Sequence, residues 1–133
     1  MLLFLSAQDI NFLEVGLIDV QGQLLSFKKV EVPPEKYLAT VSEFLDEQKI
    51  SADDLTKIIV VSGPGSFTAS RLTVTIANSL SFAKNLPIIG IENPDRQNGE
   101  ALIKKKAQAW IDLSPNKFVS PVYDRPPNIT VKK

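Results

Sequence analysis

Val60-Val61-Ser62-Gly63-Pro64-Gly65-Ser66-Phe67-Thr68, with Arg71 just beyond, is the stretch that decides the fold. Ahead of it Ile58, Ile59, Val60 and Val61 make an unbroken apolar run, as expected of a strand covered on both faces. Behind it the residues from Phe67 to Asn85 predict a long helix whose only charged side chains are Arg71 and Lys84. A strand-to-helix turn of this kind aims backbone N–H groups outward, where an anion or a partner's acceptor can dock. A second reading stands beside it, a tight glycine turn in which Ser66 or Thr68 caps the helix. The turn is not a P-loop, because the lysine is missing, and it lacks the third glycine of a dinucleotide fingerprint. Arg71 in the first helical turn opposes the helix dipole and calls for a carboxylate, a phosphate or an interface carbonyl.

Working outward, Leu2 to Leu5 reads as a short buried strand and Phe12 to Val20 as a second, turning at Gln21-Gly22 into a third from Leu24. Pro33-Pro34 ends this meander and opens a helix from Pro34 to Lys49, with Tyr37, Leu38, Val41, Phe44 and Leu45 on one face. Then come the strand to Val61, the glycine turn, the helix to Asn85 and a strand from Ile88 to Ile91. The order predicts an α/β fold with a mixed sheet of about five strands, its two crossover helices on one face because crossovers are right-handed. Gly99 to Ile111 reads as a further helix burying Ala101, Leu102, Ala107 and Trp110 and displaying Lys104, Lys105 and Lys106.

The chain has 133 residues, enough for one core. It contains neither cysteine nor histidine, which removes thiolate metal sites and the commonest general base and metal ligand. Any catalysis would rest on carboxylates, lysine or hydroxyls, and no cofactor or metal is expected. The formal net charge is zero but unevenly spread: residues 1 to 94 hold 7 Lys/Arg against 11 Asp/Glu, and residues 95 to 133 hold 8 against 4. Met1 to Leu5 reads as a first strand and not as a leader, so a cytoplasmic location is expected.

On a helical wheel Leu72, Ile76, Leu80 and Ala83 form the natural sheet-facing side of the long helix. Ser70, Thr73, Val74, Ala77 and Ser81 form a second side of small and β-branched residues. Either the first helix covers that side or a partner does.

The run Ser62-Gly63-Pro64-Gly65-Ser66-Phe67-Thr68-Ala69-Ser70-Arg71 resembles the hallmark of the TsaB (YeaZ) family, and Leu86-Pro87-Ile88-Ile89-Gly90-Ile91 is similar to the strand that follows it there. Pro121-Val122-Tyr123-Asp124-Arg125-Pro126 is similar to the family's closing segment. The resemblance implies a single subdomain of the actin-like ATPase (ASKHA, ribonuclease H-like) fold over residues 1–94, with a shortened helix and basic tail over 95–133 in place of the second subdomain. It implies a noncatalytic partner of TsaD, the transferase that places threonylcarbamoyl on the adenosine beside the tRNA anticodon, with TsaE as accessory ATPase. In that family the first subdomain's two helices make both the homodimer and the TsaD contact. Carried over, the interface expectation is Tyr37, Val41, Phe67, Ser70, Arg71, Thr73, Val74, Ala77 and Ser81, behind the motif Gly63, Pro64, Gly65, Ser66, Phe67 and Thr68.

The departures from the family pattern matter. Leu5-Ser6-Ala7 stands where the family's first strand ends in a carboxylate, Ala69-Ser70 replaces Gly-Leu, and Thr73 replaces a glycine. A scaffold for a TsaD-like enzyme is therefore the expected function. The alternatives are a nucleotide-dependent enzyme of the same fold and a tRNA-binding module using Lys104 to Lys106, Lys132 and Lys133.

Overall fold

The computed structural model describes residues 1–115 and 118–120. Five strands, β1 (Leu2–Ser6), β2 (Phe12–Ile18), β3 (Leu24–Glu31), β4 (Lys57–Gly63) and β5 (Ile88–Glu92), form one sheet in the order β3-β2-β1-β4-β5. The β1–β2 and β2–β3 pairs are antiparallel, whereas β1–β4 and β4–β5 are parallel, with Leu5 opposite Val60 and Ile59 opposite Ile89. The meander followed by two crossovers is thus as expected. Helices α1 (Tyr37–Glu47), entered by a 3-10 turn at Pro34–Lys36, and α2 (Phe67–Lys84) make those crossovers.

Alternation along the strands builds two cores. Leu3, Leu5, Ile58, Val60 and Ile88 face α1 and α2, where Tyr37, Val41, Phe44, Val74 and Ala77 meet them. Leu2, Phe4, Ile59, Val61 and Ile89 face the other way, onto α3 (Gly99–Ile111). There Trp110 stacks on Phe4 at 5.9 Å between ring centroids, with Leu102, Ile103 and Ala107 buried around it. Ala101, expected to be buried, is exposed, and Ile103 points inward instead. The residues from Gly99 to Ile111 therefore pack on the same sheet as residues 1–94. This is the layered arrangement of a single actin-like ATPase subdomain.

Local chemistry sets the ends of the elements. β2 stops at Ile18, short of the expected Val20, because the Asp19 carboxylate accepts the N–H groups of Gln21 and Gln23 at 2.9 Å and forms the turn, with Gly22 at φ 89°. Ser51 and Asp54 make a reciprocal capping box ahead of β4. Asn85, in the left-handed region at φ 54°, ends α2, and Pro87 prevents its continuation. Asn78 on α2 holds the backbone of Val119 with both ends of its amide, at 2.8 and 2.9 Å. Val119 thereby packs over Gly90, where a Cβ would stand 2.6 Å from the valine. The closing segment from Pro121 to Pro126 and the tail lysines lie outside the described residues. No helix among the described residues is long and apolar enough to cross a membrane.

Candidate functional site

The glycine turn lies at the carboxyl ends of the parallel strands. Gly63 has φ 135°, and its peptide to Pro64 is cis. Gly65 lies directly against Gln8, the residue two beyond the end of β1, where an added Cβ would meet the Gln8 Cα at 2.7 Å. Only glycine fits so close a backbone approach. Ser66, not Thr68, caps α2, accepting the Ala69 N–H at 3.4 Å, while its own N–H donates to the Gln8 carbonyl at 2.8 Å. The Ser66 and Ala69 N–H groups are used within the chain, which supports the capped-turn reading.

Next to the turn two buried amides bridge three loops. The Gln8 Nε2 donates to the Pro64 carbonyl at 2.5 Å and to the Asn93 carbonyl at 2.8 Å. In return Asn93 Nδ2 donates to Gln8 Oε1 at 2.8 Å and to the Gln97 carbonyl at 2.9 Å, and Asn93 Oδ1 accepts the Gln97 N–H at 3.1 Å. The Asn93 N–H donates to the Gly63 carbonyl at 2.8 Å. Neither Gln8 nor Asn93 was singled out in the sequence. The available signal was a polar residue just past the end of β1 and another just past β5.

Beside this bridge, on the α3 side of the sheet, is a pocket of about 220 Å³ lined in part by Asp9, Phe12, Glu14, Lys29 and Arg96. Its carboxylates are already engaged: Glu14 accepts the Gly99 N–H at the start of α3, and Asp9 accepts the Asn11 N–H, both at 2.9 Å. Lys29 sits 4.8 Å above the Phe12 ring. With two acidic and two basic groups, the pocket carries no excess positive charge to hold phosphates. Among the described residues no three His, Cys, Asp or Glu side chains are grouped to hold a metal ion. The nucleotide and divalent cation that an actin-like ATPase fold implies therefore do not fit these residues.

The helical face differs from the expectation at most of its residues. Tyr37, Val41, Ser70, Thr73, Val74 and Ala77 are buried in the chain's own core. The small-residue side of α2 is buried in the core, together with Ile76 of the expected sheet-facing side. Small side chains let the helix approach β4 closely, and Thr73 satisfies its hydroxyl on the Ala69 carbonyl at 2.9 Å. Leu72 and Leu80 are half-buried against the core, and Ala83 is exposed. Tyr37 donates its hydroxyl to the Ile10 carbonyl at 2.7 Å, and burial, with the Asp9 charge adding to it, pushes its pKa up to about 12. Ser81 is half-buried and donates to the Leu86 carbonyl at 2.5 Å.

Of the nine interface residues expected, Phe67 and Arg71 are exposed, with the Arg71 guanidinium 5.9 Å from the Phe67 ring centre. Sequence reasoning missed the exposed apolar groups nearby, Leu38 at 61% and Phe82 at 91% exposure. Leu38, Val41, Leu45, Ile50 and Leu80 line a groove of about 260 Å³ between α1 and α2. Arg71, Thr75 and Phe82 lie along the outer side of α2.

Comparison with known proteins agrees with this architecture. Residues 34–97 match the family model described as TsaD: tRNA N6-adenosine threonylcarbamoyltransferase. The chain is similar to the tRNA threonylcarbamoyladenosine biosynthesis protein TsaB of Bacillus subtilis, with 34% identity over 56 residues, covering 42% of this chain and 24% of that protein. It is 44% identical over 59 residues to the tRNA N6-adenosine threonylcarbamoyltransferase of Fusobacterium nucleatum, covering 44% of this chain and 17% of that one. Among solved structures, YeaZ from Pseudomonas aeruginosa superposes with a TM-score of 0.60 at 26% identity, covering 69% of this chain and 44% of that one. The chain thus spans less than half the length of each of these relatives. In its glycine-turn motif, strand order and similarities, the chain resembles the TsaB and YeaZ proteins.

Proposed function

We propose that this chain is a noncatalytic partner subunit in formation of threonylcarbamoyladenosine on tRNA, docking a TsaD-like transferase through the exposed side of α1 and α2. The observation that carries the reading is the apolar groove between those helices, with Leu38 in its lining at 61% exposure, while Phe82, 91% exposed, stands on the outer side of α2. A contiguous apolar groove open to solvent is the kind of surface a protein interface uses. Similarity to TsaB proteins supports the process, and the amide-filled crevice supports a role without nucleotide chemistry. The contact set is revised accordingly: Phe67 and Arg71 remain, Leu38, Thr75 and Phe82 join them, and the buried residues support the helices from within. A TsaE-like ATPase, tRNA and a homodimer through the same face complete the proposed associations. The subdomain assignment of residues 1–94 belongs to the same proposal, with Gly99–Ile111 packed on its sheet.

Leu38→Glu and Phe82→Glu, measured by titration calorimetry against the TsaD-like subunit, test the docking. Binding weakened about tenfold or more by each, with unchanged circular dichroism, is expected for groups central to an interface. Unaltered binding in both variants overturns the reading. The match of residues 34–97 to the transferase model favours a second reading, a transferase-type chain. Modified adenosine formed by this chain with tRNA and substrates, and no partner, would establish it.

A further inference from the structure

Open α/β sheets ordinarily leave a crevice at the carboxyl ends of their strands, where a ligand binds and ties the loops together. Here Gln8 after β1 and Asn93 after β5, 9% and 2% exposed, fill that place with their own amides. Each amide both donates and accepts, and among the described residues neither leaves a buried side-chain atom without a partner. A phosphate entering there would have to break these bonds, and a divalent cation would find an amide where a carboxylate is needed.

We propose that Gln8 and Asn93 are positioning residues that replace a ligand: their bridge fixes the starts of α2 and α3 and so holds Phe67 and Arg71 of the docking face in place without any nucleotide. The inference rests on the reading of the α1–α2 face as the docking surface. The path from bridge to surface is short. The Gln8 amide donates to the Pro64 carbonyl, and the Gln8 main-chain carbonyl accepts the N–H of Ser66, the cap of α2, with Phe67 and Arg71 following within the first helical turns. On the other arm Asn93 accepts the N–H of Gln97, next to Asn98, the cap of α3. The two arms lie 85 residues apart in the chain, and the side chains bonded to each other are the direct tie between them.

Gln8→Met and Asn93→Leu keep roughly the volume but lose both the donors and the acceptors of the side-chain amides, so they test the bridge without opening a cavity. Amide hydrogen exchange of the full chain reads the Gln97 N–H, bonded to the Asn93 side chain, and the Ser66 N–H, bonded to the main chain of Gln8. Exchange about tenfold faster at both, with the β1 and β4 amides unchanged, is expected in each variant, together with about tenfold weaker binding to the TsaD-like subunit. Unchanged exchange at Ser66 and Gln97 in both variants overturns the proposal. So does protection of those two amides in the unaltered chain by millimolar MgATP, an arm that needs no variant to fold. Phe82→Glu separates the two readings: it should weaken binding with exchange at Ser66 and Gln97 untouched. If it binds normally, the docking surface is misplaced, and the exchange data still decide the bridge.

Discussion

Gly65 and Gln8 are in backbone contact across the sheet's carboxyl edge: a Cβ on the glycine would stand 2.7 Å from the Gln8 Cα and 2.8 Å from its carbonyl oxygen. Because the obstacle is main chain, no rotamer change relieves it. Gly65→Ala should therefore push the turn off the end of β1 and destabilise the chain by about 1–3 kcal/mol, as overpacking does. Urea denaturation followed by circular dichroism measures it, and a midpoint equal to that of the unaltered chain would contradict the contact.

Ser70 presents the opposite case. Its hydroxyl is buried at 1% exposure without a hydrogen-bond partner. Ser70→Ala removes a desolvated polar group and supplies a better helix former, so the chain should gain about 1 kcal/mol. The thermal midpoint should rise, and a fall would mean that the hydroxyl has a partner.

Tyr37 gives a pH signature. Its pKa is raised from 10.0 to about 12 by burial first and by Asp9 second. A raised folded-state value favours the neutral phenol, so the contribution is complete below pH 10 and is lost as the pH climbs toward 12. A shift of that size corresponds to about 2–3 kcal/mol. Tyr37→Phe should lose about 1 kcal/mol at neutral pH through the vacated Ile10 carbonyl, yet fall less steeply in strong alkali. Parallel alkaline unfolding curves for the two proteins would refute this assignment.

Trp110 anchors α3 through its stack on Phe4. Trp110→Ala should cost about 3–5 kcal/mol and release the helix from the sheet. Hydrogen exchange would then speed up along Leu102 to Ala107 before it does in β4. Uniform loss of protection throughout the chain would instead show that α3 is inseparable from the rest of the fold.

Much of this fold is written in local chemistry. The apolar run before Gly63, the proline at Pro34 and the turn residues around Gly22 announce their elements because each acts on its own few neighbours. The motif from Gly63 to Thr68 with Arg71 was enough to indicate the relatives. The site was less legible, since Leu38 and Val41 have the same hydropathic character in the sequence, yet one is 61% exposed and the other 2%.

What the sequence by itself determined is the order of strands and helices, the close turn that only glycine permits and the kinship that turn implies. Tertiary structure alone decided which residues of α2 are buried and which residues close the crevice. Helical periodicity defines sides without saying which is inward; here the small residues Ala69, Ser70, Thr73 and Ala77 are inward together with Ile76, because small side chains let backbone approach backbone where larger ones could not. Gln8 and Asn93 become a pair only when β4 brings the ends of β1 and β5 together. A bond between residues so far apart in the chain has no local signature.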